Sequence, residues 1–549
     1  MSINEKIIKV FQEEYPFVKL FTFNNLVYFY DAKSNLLAQI TQKDLIAICD
    51  ENSNDEFIKI LKRNGVFSKG YLKQIVPNDY ELEQIIEDQL VSYVPRKFIV
   101  EVTDECTLRC KYCLYSNKEN LRVHSKNYIK EDIAIKAIDY YFNIYYEAIK
   151  KIPKSNLLDV LKIAAPGISW WGGEPLLNIS LMQSMKNHLE SLPWKDFGIY
   201  DFEFVYSVVT NFTVLNQEII DFLISTNIFV FISLDGGKVE HDKNRVFING
   251  KGSFKKVISN IDFMIQNYPD FCKKRMIIQS VRANNIDLLS AYDFIDEHFK
   301  ISKGTKTILK HISFPQKIDK EYLPQESYSH NSFNPIPLLN TYNSRLDELS
   351  KLSNEELSNL LKVEDSTLND FEDLLKLENI IAFDHPMGSD YISKHFSCPI
   401  GIDNIFVSLN GDLHMCSKTD QSIPLGNVNI GIDKKKLYDL YSKYYSFFRQ
   451  KCNKCWAFLF CKVCPANILY KGEFYHPLEK ECDIIRNNLF TRIYKYIIFS
   501  QYDSLYEKIK KNHNNNKENN FLNFEEPVKI NHSSYEKNKK IKGSDIKRK

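Results

Sequence analysis

The residues best placed to do chemistry are three cysteines in Cys106-Thr-Leu-Arg-Cys110-Lys-Tyr-Cys113, with Tyr112 beside the last of them. Three thiolates this close together can hold three irons of a [4Fe–4S] cluster, because thiolates are the usual protein ligands of such clusters. The fourth iron then has no local partner. It is open to chelate an external ligand and pass an electron into it, whereas a structural zinc site would normally close itself with a fourth Cys or His.

A second group follows far downstream: Cys398, then Gly411 and Cys416, then Cys452-x2-Cys455-x5-Cys461-x2-Cys464, and finally Cys482. The middle portion alone could be a zinc ribbon. Taken together, these cysteines are too many for one tetrahedral zinc and suit two clusters better. Cys49 and Cys272 stand alone and read as small buried hydrophobes. Clustered cysteines in a chain read as cytosolic point to metal or redox chemistry rather than disulfides. That reading rests on an N-terminal stretch, MSINEKIIKVFQEEYPF, that is acidic and lacks an apolar signal core. It also rests on the lack of any run near the ~18–20 apolar residues that span a bilayer. The formal net charge of +2 gives no global basic field for nucleic acid.

These cysteines need a scaffold, and 549 residues imply more than one domain. From about 96 to 312 strand-like runs alternate with helical ones. The strands are Lys97–Thr103, Ile168–Trp171, Phe202–Thr210, Ile228–Leu234, Met276–Val281 and Thr307–His311. The helices are Ile129–Ile149, Leu177–Leu189, Gln217–Ser225, Phe254–Gln266 and Leu288–His298. Such alternation predicts an α/β fold, a partial (β/α)6 TIM-like barrel with its chemistry at the C-terminal strand ends. The first cysteine group lies directly after the first strand.

Residues 1–92 are expected to form a small winged-helix-like domain. Strands at Leu26–Tyr30 and Leu37–Ile40 precede helices at Gln42–Cys49 and Asp55–Asn64. Residues 93–312 are the barrel, 313–395 a bridging segment with an acidic Leu-rich helix at Leu346–Leu377, and 396–490 the cysteine-rich domain. Residues 491–549 are expected to be a terminal helix and a disordered basic tail containing the Asn-rich run Asn512–Asn520.

The cysteine triad with Tyr112 resembles the radical S-adenosylmethionine (SAM) superfamily, and three further motifs agree in order and position. Gly172-Gly173-Glu174-Pro175 follows the second strand, Thr210-Asn211 the third, and Ser233-Leu-Asp235-Gly236 the fourth. His241, Asn244-Arg245 and Gly252-Ser253-Phe254 come after it. Each alone could be a turn or a cap; four in order after successive strands are a constellation. The resemblance implies a SAM-binding [4Fe–4S] cluster on Cys106, Cys110 and Cys113. It implies SAM contacts from Tyr112, Gly172, Gly173, Glu174, Pro175, Asn211, Ser233, Asp235 and Arg245, with the Glu174 carboxylate on the SAM ammonium and the glycines allowing close backbone approach. No side chain is assigned as acid, base or nucleophile.

The second group is similar to the SPASM domain of peptide-modifying relatives, although the spacing before the penultimate cysteine is two where three is typical. The resemblance implies two auxiliary [4Fe–4S] clusters. One would sit on Cys452, Cys455, Cys461 and Cys482, the other on Cys398, Cys416 and Cys464, with an open iron or a non-cysteine ligand such as His395. Sulfatase-maturating relatives carry an Asp base after the cysteine matching Cys416; Ser417 stands here and argues against formylglycine formation. Cys113-Leu-Tyr-Ser116, Arg122 and His124-Ser125 look like maturases of ribosomally made peptides. Their resemblance implies a precursor peptide as substrate, a leader-binding N-terminal domain, thioether or carbon–carbon crosslinking, and a reductant such as ferredoxin or flavodoxin. The readings kept against it are other protein maturation, a non-catalytic iron–sulfur carrier or peptide-binding protein, and a zinc protein.

Overall fold

The computed structural model describes, apart from short gaps, residues 11–116, 122–282 and 401–499, with parts of 290–299 and the strand at 306–311. The expectations for residues 313–395, Cys398, His395 and the Asn-rich tail lie outside the described residues, as does much of the helix expected at Leu288–His298.

The first ~90 residues hold strands β1 (Val18–Phe23), β2 (Leu26–Asp31) and β3 (Leu36–Ile40) in an antiparallel sheet of that order. Helices α1 (Gln42–Cys49), α2 (Glu56–Arg63) and α3 (Asp79–Ser92) follow. Thr41 starts α1 with a capping box: its hydroxyl accepts from Asp44 N, and Asp44 answers at Thr41 N, 2.9 Å away. The hairpin and both expected helices are present; β1 is additional. Val18 and Leu20 pack inside this unit, while Phe17 and Phe21 on the other face pack with helices from the far end of the chain. Burial on both faces removes the apolar–polar alternation by which a strand is read.

The main sheet has ten strands in the order β13-β12-β11-β10-β4-β5-β6-β7-β8-β9. The six expected parallel strands are β4 (Lys97–Thr103), β5 (Ser169–Gly172), β6 (Ser207–Thr210), β7 (Phe229–Ser233), β8 (Met276–Arg282) and β9 (Lys306–His311). Helices α4 (Glu131–Ile149), α5 (Ile179–Ser191), α6 (Gln217–Ser225), α7 (Lys238–Asn244), α8 (Phe254–Asn267) and α9 (Pro269–Arg275) lie between them. A parallel α/β fold is thus the observed class. Along the strands, Phe98, Val100, Val102, Trp170, Val208, Val230, Ile232 and Ile278 point to the helices and join one core. The intervening positions carry Glu101, Thr103, Ser169, Trp171, Ser207, Ser233 and Gln279 on the opposite face. One face is therefore apolar packing, and the other is a mixed polar and aromatic surface.

The cysteine-rich region, expected as a domain of its own from residue 396, shares this sheet. Strand β10 (Asn404–Val407) pairs parallel with β4, Asn404 opposite Lys97 and Val407 opposite Val100. Strands β11 (Asp412–His414), β12 (Gly426–Asn427) and β13 (Gly431–Ile432) continue it antiparallel. The pairing covers an edge of β4 that would otherwise expose unpaired backbone groups. Helix α10 (Lys434–Lys451), the short α11 (Pro465–Ile468), the ribbon β14 (Leu469–Tyr470) with β15 (Glu473–Phe474), and α12 (Glu479–Phe499) complete the described chain. Helix α12 crosses the expected boundary at 490. A second core joins Phe17, Phe21, Tyr28 and Tyr30 to residues of α10 and α12. No described helix is long and apolar enough to cross a membrane.

Because β10 is an interior strand of the main sheet, its amides are expected to exchange with solvent within about tenfold of the rates of β4 amides in native-state hydrogen exchange. Exchange of Ile405–Val407 with the loops, while β4 stays protected, would show a loosely attached unit instead.

Candidate functional site

The cysteine loop leaves β4 and is fastened on two sides by backbone. On one side Gly173 N donates to Thr103 O (2.7 Å) and Glu174 N to Glu105 O (2.8 Å). Gly172 has φ +142°, and a Cβ there would lie 2.2 Å from Thr103 O. A Cβ on Gly173 would lie 2.2 Å from Glu105 O. Only glycine lets these two backbones meet. On the other side Arg109 N donates to Val246 O (2.7 Å) and Lys111 N to Asn244 O (3.0 Å). The Arg109 guanidinium closes the loop on itself through the carbonyls of Cys106 and Leu108.

Cys106, Leu108, Cys110 and Tyr112 form a small buried cluster, with Cys113 packed against it. Cys106, Cys110 and Cys113 form no disulfide. Leu108 N and Asn211 Nδ2 each lie 3.4 Å from Cys106 Sγ, and Arg245 Nη1 lies 3.9 Å from Cys110 Sγ. Burial pushes all three thiols up, Cys110 to about 12 and Cys106 further still, where the Glu174 carboxylate adds to it. Bare, they are protonated; a bound metal would have to displace those protons. The N–H donors aimed at sulfur suit thiolates, so the residues present fit an iron–sulfur cluster. Among the described residues no three Cys, His, Asp or Glu side chains converge on the point a single ion would take. A cluster, whose irons hold their thiolates apart, does not need that convergence.

The motif after β7 forms a buried polar network beside this loop. Asp235, fully buried, accepts from Tyr112 OH and, through Oδ1, from Val281 N at 3.0 Å. Arg245 Nε stands 3.0 Å from Asp235 Oδ2, an ion pair lacking the angle of a hydrogen bond, and its guanidinium lies 5.3 Å from the Tyr112 ring centre. Burial works against the Arg245 charge, but Asp235, Tyr112 and Cys110 outweigh it and hold the pKa above its ordinary value. His241 orders the rest. Asp235 N donates to Nδ1 (3.4 Å), so Nε2 carries the proton and donates to Ser253 Oγ (2.9 Å), which donates to Arg245 O (2.9 Å). This tautomer is assigned from the hydrogen-bond pattern. Burial, then the nearby Arg245 charge, lowers the His241 pKa to about 3.

Glu174, the residue expected on the SAM ammonium, is tied into the protein at the ends of two strands. Its fully buried carboxylate accepts from Thr210 Oγ1 (2.7 Å), Asn211 N (2.8 Å) and Leu176 N (3.2 Å). Burial lifts its pKa to about 7 against those three hydrogen bonds. It joins the ends of β5 and β6, and Pro175 begins the short turn behind it. Ser233 ends β7 half-buried on the mixed face. Sequence reading missed Gln279, the polar residue in the middle of β8. It is 7% exposed, and its Oε1 has no hydrogen-bond partner among the described residues. An orphaned buried acceptor on the mixed face fits a ligand that brings its own N–H or O–H. The signal was available: Met-Ile-Ile-Gln-Ser-Val-Arg interrupts an apolar run with Gln279 and Ser280.

The second cysteine group lies against the second core. Cys416 follows β11, Cys452 ends α10, Cys464 caps α11, and Cys482 lies in the first turn of α12. Cys416, Cys452, Cys455 and Cys461 all pack on that core. Burial raises the Cys455 thiol, and the Cys461 sulfur and Arg486 lie close enough to act on it. A polar pocket of about 520 Å³ is bordered by Glu101, Asp104, Tyr115, Arg122, Ser408 and Gln421, residues contributed from both sides of the main sheet's β4–β10 pairing.

A profile described as the Radical SAM superfamily matches residues 100–280. A cysteine-type anaerobic sulfatase-maturating enzyme of Clostridium novyi is 30% identical over 168 residues, 30% of this chain and 39% of that protein. The radical SAM cyclopropyl synthase TigE of Paramaledivibacter caminithermalis is 26% identical over 250 residues, 43% of this chain and 47% of that protein. The chain thus spans less than half the length of these relatives. Among solved structures, anSMEcpe with bound AdoMet aligns at 18% identity and TM-score 0.48, covering 76% of this chain and 99% of its own. Streptococcus suis SuiB bound to precursor peptide SuiA aligns at 11% identity and TM-score 0.38, over 84% and 98%.

Two outcomes follow from this geometry. Gly173→Ala forces a methyl group onto the Glu105 carbonyl and is expected to cost the reconstituted protein about four irons per chain, read by iron assay with the fold checked by circular dichroism. His241, neutral in the fold and protonatable near pH 6.5 once unfolded, takes up protons only on unfolding between about pH 3 and 6.5. Its contribution is full above pH 6.5 and falls as pH drops, by up to about 1.4 kcal/mol per pH unit. Urea unfolding of apoprotein at pH 7.5 and 5.5 should show a larger loss for wild type than for His241→Gln.

Proposed function

We infer that the chain is a peptide-modifying enzyme, on the premise that its residues 100–280 form a radical SAM domain. The observation that carries this reading is the trio of thiols, Cys106 and Cys110 buried and Cys113 partly so, on a doubly fastened loop at the C-terminal end of a parallel strand, two of them already facing N–H donors. A [4Fe–4S] cluster at Cys106, Cys110 and Cys113 would supply reductive cleavage of SAM to methionine and a 5′-deoxyadenosyl radical that takes hydrogen from the substrate. The chain's own residues would do the placing. The Asp235–Arg245 pair and Tyr112 would set the polar wall beside Cys110. Asn211, Ser233 and Gln279 would offer hydrogen bonds on the mixed face. The backbone of Gly172–Glu174 would come close to the cofactor while the Glu174 side chain keeps that turn rigid.

The remaining parts suit a maturase of ribosomally made peptides. Cys398, Cys416, Cys452, Cys455, Cys461, Cys464 and Cys482 would hold two auxiliary clusters in a SPASM-type region, a place for the electron that the substrate radical must lose. The sheet β1–β3 with its helices would be a winged-helix-like leader-recognition unit. Among the described strands β3 pairs only with β2, which leaves an edge to which a leader peptide could add as a strand. The modification would be a thioether or carbon–carbon crosslink, with a ferredoxin or flavodoxin as reductant in the cytoplasm. Ser417, having no carboxylate to act as base, disfavours the sulfatase-type alternative.

Reconstituted enzyme given SAM, dithionite and the precursor peptide encoded beside its gene should release 5′-deoxyadenosine and give a peptide lighter by two hydrogens in mass spectrometry. Cys106→Ala should abolish both. Nucleoside release without any change of peptide mass would sink the maturase reading, and absence of release would sink the radical SAM reading of the whole chain.

A further inference from the structure

Two hundred and ninety-four residues separate Arg122 from Cys416, yet the side chain of one grips the loop of the other. Arg122 Nη2 donates to Ser417 O (2.9 Å) and Thr419 O (2.7 Å), the carbonyls just after Cys416. Nη1 donates to Tyr115 OH (3.2 Å) and stands 3.6 Å from Glu101 Oε1. Tyr115 also donates to Glu101 and lies two residues beyond Cys113, whose sulfur takes a hydrogen bond from its backbone. Glu101 Oε2 accepts from Leu409 N (3.3 Å), in the turn between β10 and β11, and from Gln421 Nε2 (3.1 Å), beyond Cys416. The rings of Tyr115, Trp171 and Phe406 stand 5.1–5.4 Å from the guanidinium carbon. The Arg122 and Glu101 side chains are each 4% exposed.

This is a built device rather than a surface ion pair. A planar guanidinium can serve two carbonyls, a phenol, a carboxylate and three ring faces at once; an ammonium cannot. We propose that Arg122, backed by Glu101, is the positioning residue that fixes the Cys416 loop against the Cys113 segment, and so sets the auxiliary cluster carried by Cys416 relative to the SAM site. The proposal rests on the auxiliary-cluster reading above and adds the residue that couples the two metal loops. Arg122 is not a ligand and touches no reacting atom. Its effect is on the geometry and environment of a neighbouring cluster, and second-layer residues of this kind tune what the ligands hold.

The test isolates the second cysteine group. In a Cys106→Ala/Cys110→Ala/Cys113→Ala background, iron content and the electron paramagnetic resonance spectrum of dithionite-reduced protein report only the auxiliary clusters. Arg122→Lys keeps the charge but not the fork. It should change the g-values and the reduction potential of one auxiliary signal, with a severalfold loss of its intensity. Arg122→Met with Glu101→Gln, which avoids an orphaned buried carboxylate, should do the same while unfolding like its parent. With the three cysteines restored, Arg122→Lys should still cleave SAM to 5′-deoxyadenosine. An auxiliary spectrum and potential unchanged in both variants overturns the proposal. Equal loss of SAM cleavage and auxiliary signal also overturns it, since Arg122 would then hold up the whole domain. If the triple-alanine parent binds no iron at all, the auxiliary-cluster reading itself has failed.

Discussion

The seam between Thr103–Glu105 and Gly172–Glu174 is the constraint on which the other features depend. Two backbone hydrogen bonds join the end of β4 to the end of β5 at a separation that excludes any side chain on either glycine. That seam fixes where the cysteine loop begins. The ladder to residues 244–246 then fixes where it goes, and three thiols, two of them buried and Cys113 partly so, end up packed together without a disulfide between them. Glu174 completes the joint by turning its carboxylate inward to Thr210 and Asn211, so three consecutive strand ends are held as one piece.

Two buried arginine–carboxylate pairs flank this piece, Arg245 with Asp235 and Arg122 with Glu101. Burying such charges is costly unless hydrogen bonds satisfy the remaining donors and acceptors, so their presence is poor evidence of stability for its own sake. Their partners say what they are for. Asp235 reaches Tyr112 and Val281, and His241 braces the pair from behind through Asp235 N and Ser253. Arg122 and Glu101 reach the segment after Cys113 and the loop of Cys416. Each pair is a specific joint between segments far apart in sequence, set on the mixed face of the sheet where packing alone would not select one arrangement.

The six central strands were legible because short runs rich in β-branched and aromatic residues recur along the chain and because helical stretches separate them. The site cysteines were legible because ligand spacing is local. What escaped was non-local. Strand β10 is four residues long, and its partner β4 lies about 300 residues earlier, so no nearby pattern announces it. Strand β1 was hidden because Phe17 and Phe21 bury the face that would otherwise be polar. The hydrogen bonds that Glu174 accepts from Thr210, Asn211 and Leu176 were not legible, because a motif gives residue types but not which donors surround them. Gln279 went unread for the opposite reason, as a polar residue in a strand otherwise explained.

The position of β10 also bears on how the chain emerges from the ribosome. The carboxyl-side region that covers β4 is made about 300 residues after it, a delay of roughly 15–60 s at bacterial synthesis rates. During that interval the edge of β4 is bare, and Glu101 lacks the Leu409 and Gln421 donors it will later bind. A nascent chain in that state presents an unpaired sheet margin and an acid still lacking two of its donors side by side.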